Sequence, residues 1–260
     1  MTDNLNVTRN GQILEIVLNR PKGNAIDAKL SRRMGEVFAS FRDDPELRVA
    51  ILTGAGEKFF CGGWDLNAVA DGEEYTGDFG EGGFGGFPEM DNLLKPVICA
   101  VNGYALGAGF EMLLNADFVV ASDNAQFWLP EAQVGVAPDI ATFLLPKIMP
   151  RVKAMELLLT GKRLSAEDAA GLGLVNSVVP QAQLLDHARE LAHRIMKSAP
   201  LSVAAIKEVV RETETLSFAD CYRDLRAGKW PEFEKMLASD DATEGAKAFQ
   251  DRRDPAWKGC

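Results

Sequence analysis

The 260-residue chain lacks any apolar run long enough to cross a membrane. A membrane-spanning helix needs about 18 or more consecutive apolar residues, and none occurs. The opening stretch MTDNLNVTRNGQ is polar and does not show the charged-then-apolar pattern of an export signal. We therefore expect a cytoplasmic protein with no membrane contact.

Positive charge and histidine are also scarce. Lys and Arg number 28 against 38 Asp and Glu, which gives a formal net charge of −10. A field of this sign repels nucleic acid, so we expect no nucleic-acid partner, although a local basic patch could still bind an anionic ligand. The only two histidines, His187 and His193, have no third ligand nearby in sequence, so we expect no metal site.

Cysteine is sparse, and nucleotide-binding loops are missing. None of the four cysteines stands in a CxxC pair, which is typical of reduced thiols in a cytosolic protein. Cys61 is a weak candidate nucleophile, because no histidine lies near it in sequence. No GxGxxG or GxxxxGK[ST] spacing occurs, so neither a dinucleotide site nor a P-loop is predicted.

Several short apolar runs alternate with helical patterns. Strands are predicted at residues 12–18, 49–53, 97–101 and 118–121, and a helix capped by Asp27 at about residues 28–42. This alternation is typical of an α/β protein with a largely parallel sheet. Residues 71–88 are rich in Gly, Asp and Glu and contain scattered aromatics such as Tyr75, which predicts a mobile loop or lid or, alternatively, disorder.

The last third of the sequence turns helical. Helix-like patterns dominate from about residue 154, and no clear strand follows about residue 179. We therefore predict two parts, a catalytic core at residues 1–199 and a helical C-terminal region at residues 200–260.

Residues 95–117, KPVICAVNGYALGAGFEMLLNAD, carry the strongest chemical signal. An apolar strand leads into Gly107-Ala108-Gly109 and then into an apolar helix predicted to start near Phe110. Small residues let the backbone approach a ligand, and a helix start offers unpaired N–H groups to a developing anion. Glu111 lies in the first turn of this helix, where the alternative interpretation is a favourable contact with the helix dipole.

Glu131 is the second candidate, in the sequence FWLPEA. It too could simply start a helix, after Pro130. If it were buried among Trp128 and Leu129, its pKa would rise, which suits a general acid or base. The separation, 131 − 111 = 20 residues, allows both carboxylates to face one cavity. The pair predicts an enzyme that stabilises a negatively charged oxygen.

A second glycine loop lies at residues 54–66. Gly62 and Gly63 could direct the Trp64 N–H at a ligand oxygen. The alternative is a tight turn before a helix.

Four segments together resemble the crotonase (enoyl-CoA hydratase/isomerase) superfamily over nearly the whole chain: FFCGGWDL, KPVICAVNGYALGAGFE, LPEAQVGVAPD and LLTGKRLSAEDAAGLGLVNSVV. The resemblance implies an α/β fold of the ClpP/crotonase type, a spiral of ββα units with a C-terminal helical trimerisation region. It also implies a homotrimer or homohexamer. The substrate would be an acyl-CoA, with coenzyme A as part of the substrate rather than a separate cofactor.

The resemblance also implies roles for individual residues. Glu111 and Glu131 would be catalytic, and the backbone N–H groups of Trp64 and Ala108 would form the oxyanion hole. Ala25 would contact the CoA adenine through its backbone. The further substrate-binding candidates are Gly62, Gly63, Asp65, Leu66 and Asp139.

Three departures from the family pattern stand out. The usual glycine-rich stretch after Pro138 is replaced here by DIAT, which begins with Asp139 and borders the acyl pocket. Ala108 stands where Gly is more typical, and Asn67 replaces a lysine that could contact a phosphate. Lys22 or Lys58 is therefore expected to meet the CoA phosphates.

The stretches TRNGQILEIVLNRPKGNAIDAKL and RRDPAWKG resemble members of the family that dehydrate a thioester with a trimethylammonium acyl group. An aromatic face or a carboxylate could hold this cation, with Trp64, Trp128 and Asp139 as candidates. The alternatives are a hydratase or isomerase of uncharged enoyl-CoA and a non-catalytic member, for example one that binds RNA; retention of both glutamates argues against the last. We expect Glu131 to remove the α-proton and Glu111 to serve the hydroxyl or water.

Overall fold

The computed structural model describes residues 4–74 and 77–260. The chain forms two compact units, of which the first ends at Ala192 and the second comprises His193–Cys260. The predicted boundary between residues 199 and 200 stays a prediction. Within the described ranges, no helix is long and apolar enough to span a membrane.

The strands of the first unit form two sheets. In chain order they are β1 (Leu5–Asn10), β2 (Ile13–Leu18), β3 (Val49–Gly54), β4 (Phe59–Cys61), β5 (Val97–Val101), β6 (Tyr104–Leu106), β7 (Phe118–Ser122), β8 (Gln126–Trp128), β9 (Leu164–Ser165) and β10 (Ser177–Val179). The larger sheet has the order β1-β2-β3-β5-β7-β10, and the smaller has the order β4-β6-β8-β9. All pairs are parallel except β1–β2 and β8–β9.

The chain passes repeatedly from the larger sheet to the smaller one. Each of β3, β5 and β7 is followed directly in sequence by β4, β6 or β8, and a short helical segment comes next. This alternation produces the expected α/β spiral of ββα units. All residues of β3 and β5 are buried, as expected for parallel strands covered on both faces.

The helices are α1 (Ala28–Asp43), α2 (Leu66–Ala70), α3 (Ala108–Glu111), α4 (Ile140–Ile148), α5 (Arg151–Thr160), α6 (Ala166–Gly171), α7 (Leu184–Met196), α8 (Pro200–Thr213), α9 (Phe218–Arg226), α10 (Pro231–Ala238) and α11 (Asp240–Asp251). Helix α1 starts where predicted, because the Asp27 carboxylate accepts a hydrogen bond from the Leu30 N–H at 2.7 Å. Its apolar face, with Met34, Phe38 and Phe41, is buried.

The described residues between α2 and β5 form no helix or strand, and residues 75 and 76, including the predicted aromatic Tyr75, lie outside the described residues. From residue 77 onward the segment packs on α1. The Ser31 hydroxyl donates to the carbonyls of Phe79 and Gly83 and accepts from the Gly85 N–H. Phe87 is buried as well. These contacts contradict disorder for this part of the segment.

The second unit is built from helices, as predicted. Glu208 on α8 accepts hydrogen bonds from the N–H groups of Glu232 and Phe233 and thereby caps α10. Asp241 on α11 accepts hydrogen bonds from the N–H groups of Lys258 and Gly259, which fixes the C-terminal tail. The expected role of this region in trimerisation stays a prediction.

Candidate active site

The candidate site includes a glycine turn that directly follows β6. Gly107 has a φ of +52°, a conformation that side-chain-bearing residues rarely adopt. Helix α3 follows it and begins at Ala108, two residues before the predicted start at Phe110. The helix is one turn long and continues as a 3-10 turn from Met112 to Asn115. Because Ala108 is the first helical residue, its N–H has no acceptor within the helix.

The second glycine loop packs directly against this turn. A Cβ added to Gly63 would lie 2.6 Å from the Leu106 carbonyl oxygen and 3.3 Å from the Ala108 nitrogen. The Ile26 N–H donates to the Gly63 carbonyl, and the Ile26 carbonyl accepts from the Asp65 N–H, both at 2.8 Å.

Such a parallel bridge directs the N–H of its central residue, Trp64, away from Ile26. The backbone segments of Trp64 and Ala108 are therefore adjacent, as an oxyanion hole requires. Their roles as its donors stay predictions.

Glu111 is buried, with 4% of its surface exposed. The Ala141 N–H, at the start of α4, donates to its Oε1 at 2.9 Å. Burial raises the pKa of Glu111 to about 8, and the charges of Asp139 and Glu131 add to this rise, while the hydrogen bond from Ala141 opposes it. Glu111 is therefore largely protonated at neutral pH and able to donate a proton.

Glu131 has different surroundings. It begins a 3-10 turn that ends at Val134. A Cβ on Gly107 would lie 2.6 Å from its Oε1, so the carboxylate rests directly on that glycine. Its Oε2 is buried and has no hydrogen-bond partner among residues 4–74 and 77–260. Burial, with a contribution from the charge of Asp139, raises the pKa of Glu131.

Gly107 links the two glutamates. Its carbonyl accepts hydrogen bonds from the Phe110 and Glu111 N–H groups, while its Cα faces the Glu131 carboxylate. The structure thus brings together the two carboxylates that are separated by 20 residues in sequence. One oxygen of Glu131 has no partner among the described residues, and burial favours the protonated form of Glu111, so the pair can accept one proton and donate another.

Asp139 precedes α4 and is exposed. Its Oδ1 accepts a hydrogen bond from the Ile140 N–H at 2.7 Å. It precedes Ala141, the donor to Glu111, by two residues, and its charge raises the pKa of both glutamates. The sequence pointed to Asp139 as a substrate-binding candidate, but it contained no signal for its electrostatic effect on Glu111 or for Ala141 as a donor.

The two candidate tryptophans are both engaged by neighbouring side chains. The Arg163 guanidinium lies over the Trp128 ring, 4.3 Å from the ring centroid. The Trp64 indole N–H donates to Glu73 at 2.5 Å, and its ring meets Phe79 edge-on with centroids 6.1 Å apart. Neither Arg163 nor Glu73 was predicted to be near the site.

Ala25 and Gly62 lie side by side. A Cβ on Gly62 would be 3.8 Å from the Ala25 Cβ, and the Gly62 N–H donates to the Gly23 carbonyl at 2.8 Å. The Ala25 carbonyl accepts a hydrogen bond from Arg20 at 2.7 Å. The contact of Ala25 and Gly62 with substrate stays a prediction.

Asp65 and Leu66 stand at the start of α2. Asp65 accepts a hydrogen bond from the Asn67 N–H at 3.0 Å and pairs with Arg20 at 2.6 Å. Its carboxylate is therefore held by protein groups. Leu66 is 68% exposed. The contact of Asp65 and Leu66 with substrate also stays a prediction.

A cleft of about 420 Å³ lies beside the Ala25 loop. Its lining includes Arg20, Lys22 and Lys58, the last two being the residues expected to meet CoA phosphates. The Lys58 ammonium lies 5.6 Å from the centroid of the Phe59 ring, which also lines the cleft. The cleft can accept an anionic and partly aromatic group.

The remaining candidate nucleophile, Cys61, is buried. Burial raises the pKa of the Cys61 thiol to about 12, so this cysteine is a poor nucleophile. In the part of the chain that the structure describes, no group of three or more His, Cys, Asp or Glu side chains could hold a metal ion.

The fold and the paired carboxylates can be compared with known proteins. The family model for enoyl-CoA hydratase/isomerase matches residues 8–260. The crystal structure of enoyl-CoA hydratase from Mycobacterium tuberculosis H37Rv is 39% identical, covers 99% of each chain and superimposes with a TM-score of 0.89. The chain therefore belongs to the enoyl-CoA hydratase/isomerase family, and the predicted crotonase fold is confirmed.

More similar relatives carry a narrower name. The carnitinyl-CoA dehydratases of Escherichia coli strain K12 and of Shigella flexneri are each 56% identical to this chain over 260 residues, which is the full length of both proteins in each comparison. The predicted resemblance to this branch of the family is confirmed.

Proposed function

We propose that this enzyme is a hydro-lyase that interconverts carnitinyl-CoA and crotonobetainyl-CoA with the addition or removal of water. The observation that carries the proposal is the buried Glu111 beside the Glu131 carboxylate, one oxygen of which has no partner among the described residues, in a chain 56% identical to carnitinyl-CoA dehydratases. The other candidate is hydration or isomerisation of an uncharged enoyl-CoA, since 39% identity links the chain to an enoyl-CoA hydratase.

In the dehydration direction, the thioester oxygen binds to the N–H groups of Trp64 and Ala108. These donors stabilise the negative charge that develops when the α-proton leaves, and loss of one such donor typically costs about 3 kcal/mol. Glu131 accepts the α-proton and Glu111 donates its proton to the departing β-hydroxyl, which leaves as water. Glu131 is then protonated and Glu111 ionised, so Glu131 releases a proton and Glu111 takes one up before the next turnover.

The reaction needs no cofactor beyond the CoA that is part of the substrate. Elimination of water moves two protons and one hydroxyl oxygen but transfers no electrons to an acceptor. We infer that CoA lies along the Ala25 loop, with its phosphates near Lys22 and Lys58. Support comes from the basic lining of the adjacent cleft, in a chain whose net charge is −10.

We also propose that the enzyme is cytoplasmic and acts as a homotrimer or a dimer of trimers. In the first unit, Val152, Met155 and Leu159 on α5 are 76%, 37% and 64% exposed and lie on one face of the helix. In the second unit, Phe218 and Phe249 are 78% and 88% exposed. Large exposed apolar side chains support burial against other copies of the chain. Size-exclusion chromatography with light scattering tests the oligomeric state, and a monomer would contradict it.

A substrate comparison tests the proposed function. The purified enzyme should hydrate crotonobetainyl-CoA with a kcat/KM at least tenfold above that for crotonyl-CoA, which lacks the cation. The rate is followed by the loss of absorbance of the conjugated thioester. A preference for crotonyl-CoA would reject the carnitinyl-CoA specificity and favour the uncharged alternative. Absence of turnover with every acyl-CoA would reject the enzyme itself.

A further inference from the structure

Three side chains could hold the cationic end of the acyl group, and the structure separates them. The Trp128 ring is covered by the Arg163 guanidinium at 4.3 Å, and a second cation at this pair would be repelled. The Trp64 indole is tied to Glu73 at 2.5 Å and packed edge-on against Phe79. Asp139, by contrast, presents an exposed carboxylate beside Glu111.

The chemistry of the substrate fixes where the cation must lie. In carnitinyl-CoA a single methylene joins the β-carbon to the trimethylammonium nitrogen. The β-hydroxyl leaves towards Glu111, so the ammonium group lies within a few ångströms of the Glu111 carboxyl. Asp139 precedes Ala141 by two residues, and the Ala141 N–H donates to that same carboxyl group at 2.9 Å. The position of Asp139 therefore matches the position that the substrate requires for a counter-ion.

We propose that Asp139 is the counter-ion of the trimethylammonium group and that it sets the preference of the enzyme for a cationic acyl chain. This inference rests on the function proposed above. A quaternary ammonium has no N–H group, so it is recognised by charge and by shape rather than by hydrogen bonds. A carboxylate whose Oδ1 is fixed by the Ile140 N–H at 2.7 Å supplies the charge at a defined place.

The surroundings of Asp139 favour a cation for a second reason. Asp139 lies close to two other carboxyl groups, Glu111 and Glu131, and its negative charge acts on both. An uncharged acyl chain leaves the negative charges of Asp139 and of the Glu131 carboxylate uncompensated. A trimethylammonium group offsets them, because an opposite charge at a few ångströms is attractive even at an effective dielectric constant of about 20.

The test compares two substrates of nearly the same shape. One is crotonobetainyl-CoA, and the other is 5,5-dimethylhex-2-enoyl-CoA, in which a carbon atom replaces the charged nitrogen. The variant is Asp139→Asn, which keeps the size of the side chain and its ability to cap α4 but removes the charge. The readout is the ratio of kcat/KM for the charged substrate to that for the neutral one.

We expect the ratio to fall about 10- to 100-fold in Asp139→Asn, the size of effect for a charge pair partly screened by solvent. Asp139→Glu keeps the charge and should retain most of the wild-type ratio. Asp139→Ser, a second neutral capping residue, repeats the test if the first variant folds poorly. Glu36→Gln, which removes an exposed charge from α1, controls for the overall field and should leave the ratio unchanged.

Two results would overturn the inference, and they are distinguishable. If the wild-type enzyme prefers the charged substrate and both neutral variants keep its ratio within about twofold, Asp139 does not recognise the cation and the proposed function stands. If the wild-type enzyme shows no preference for the charged substrate, the proposed acyl specificity fails, and this inference fails with it.

Discussion

Glu111 and Glu131 both stand in the first turn of a short helical segment, yet their carboxyl groups have different surroundings. Glu111 is almost fully buried and receives a hydrogen bond from Ala141, while one oxygen of Glu131 has no partner among the described residues. Burial raises the pKa of both. Tertiary contacts, rather than position in a helix, therefore give the two carboxyl groups their different surroundings.

The first prediction tests the proposed division of roles and has the largest expected effect. Glu131→Gln cannot accept the α-proton, and Glu111→Gln cannot donate to the hydroxyl, so each should lose about 10²- to 10⁴-fold in kcat. Their effects on hydrogen exchange should differ. In deuterated water, NMR should show exchange of the α-proton of the substrate with Glu111→Gln but not with Glu131→Gln.

The reverse pattern, with hydrogen exchange only in Glu131→Gln, would show that Glu111 removes the α-proton and Glu131 serves the hydroxyl. Thermal unfolding of both variants serves as the control that the fold is intact. Equal loss of exchange in both variants would indicate that the two proton transfers are inseparable, which would contradict the division of roles.

The second prediction concerns the burial of Glu111 and stability. In the folded protein its pKa is about 8, against 4.5 as the ordinary value, so between these values the folded state binds a proton that the unfolded state has released. The contribution of Glu111 to stability therefore falls as the pH rises through this window. Glu111→Gln has no proton to lose and should be more stable than wild type, by up to about 3 kcal/mol at pH 7.

Denaturant titrations at pH 5, 6, 7 and 8 measure this difference in the free energy of unfolding. It should grow with pH for Glu111→Gln and stay near zero for Glu36→Gln, because Glu36 is exposed and pairs with Arg33 on the surface of α1. A difference that is constant or that shrinks with pH would show that burial of Glu111 does not favour its protonated form.

The third prediction perturbs Glu131 through Gly107 rather than through its own side chain. In Gly107→Ala the new Cβ would lie 2.6 Å from the Glu131 Oε1, too close for a contact, and the φ of +52° adds backbone strain. The carboxylate must shift, so kcat/KM should fall about 10- to 100-fold.

Gly11→Ala provides a matched control. Gly11 has a φ of +58°, nearly the same as Gly107, but no atom lies within 4 Å of an added Cβ. Both variants should lose about 1 kcal/mol of stability through strain, and only Gly107→Ala should lose activity. Equal activity in the two variants would show that the position of Glu131 does not depend on this glycine.

The sequence predicted the long elements of the fold well. The apolar runs of β3 and β5 and the Asp27 cap of α1 are local signals, and the structure contains all three. The strands β4, β6 and β8 have only three residues each, which is too short for a period-2 pattern to be visible. The N-terminal strand β1 was missed because five of its six residues are exposed and most are polar.

The site shows the same division between local and distant information. The glycines and glutamates of the motifs pointed to the correct part of the chain. The groups that decide what each glutamate does come from elsewhere: Ala141 lies 30 residues beyond Glu111 in sequence. Arg163, which covers Trp128, has no local signal at all. Such contacts depend on how the sheets are connected, so they follow from the fold and not from a motif.

The fourth prediction moves away from the reacting atoms and has the smallest expected effect. If the phosphates of CoA lie near Lys22, then Lys22→Ala should raise KM about three- to tenfold and leave kcat nearly unchanged, because the lost contact is the same in the ground and transition states. The rise should shrink as salt is added, since exposed charges are screened.

Lys153→Ala removes a lysine from the exposed surface of α5 and should leave KM unchanged. A fall in kcat with constant KM in Lys22→Ala would place this lysine near the reacting atoms instead. The glutamate pair and the cleft lined by Lys22 would then not be separate sites.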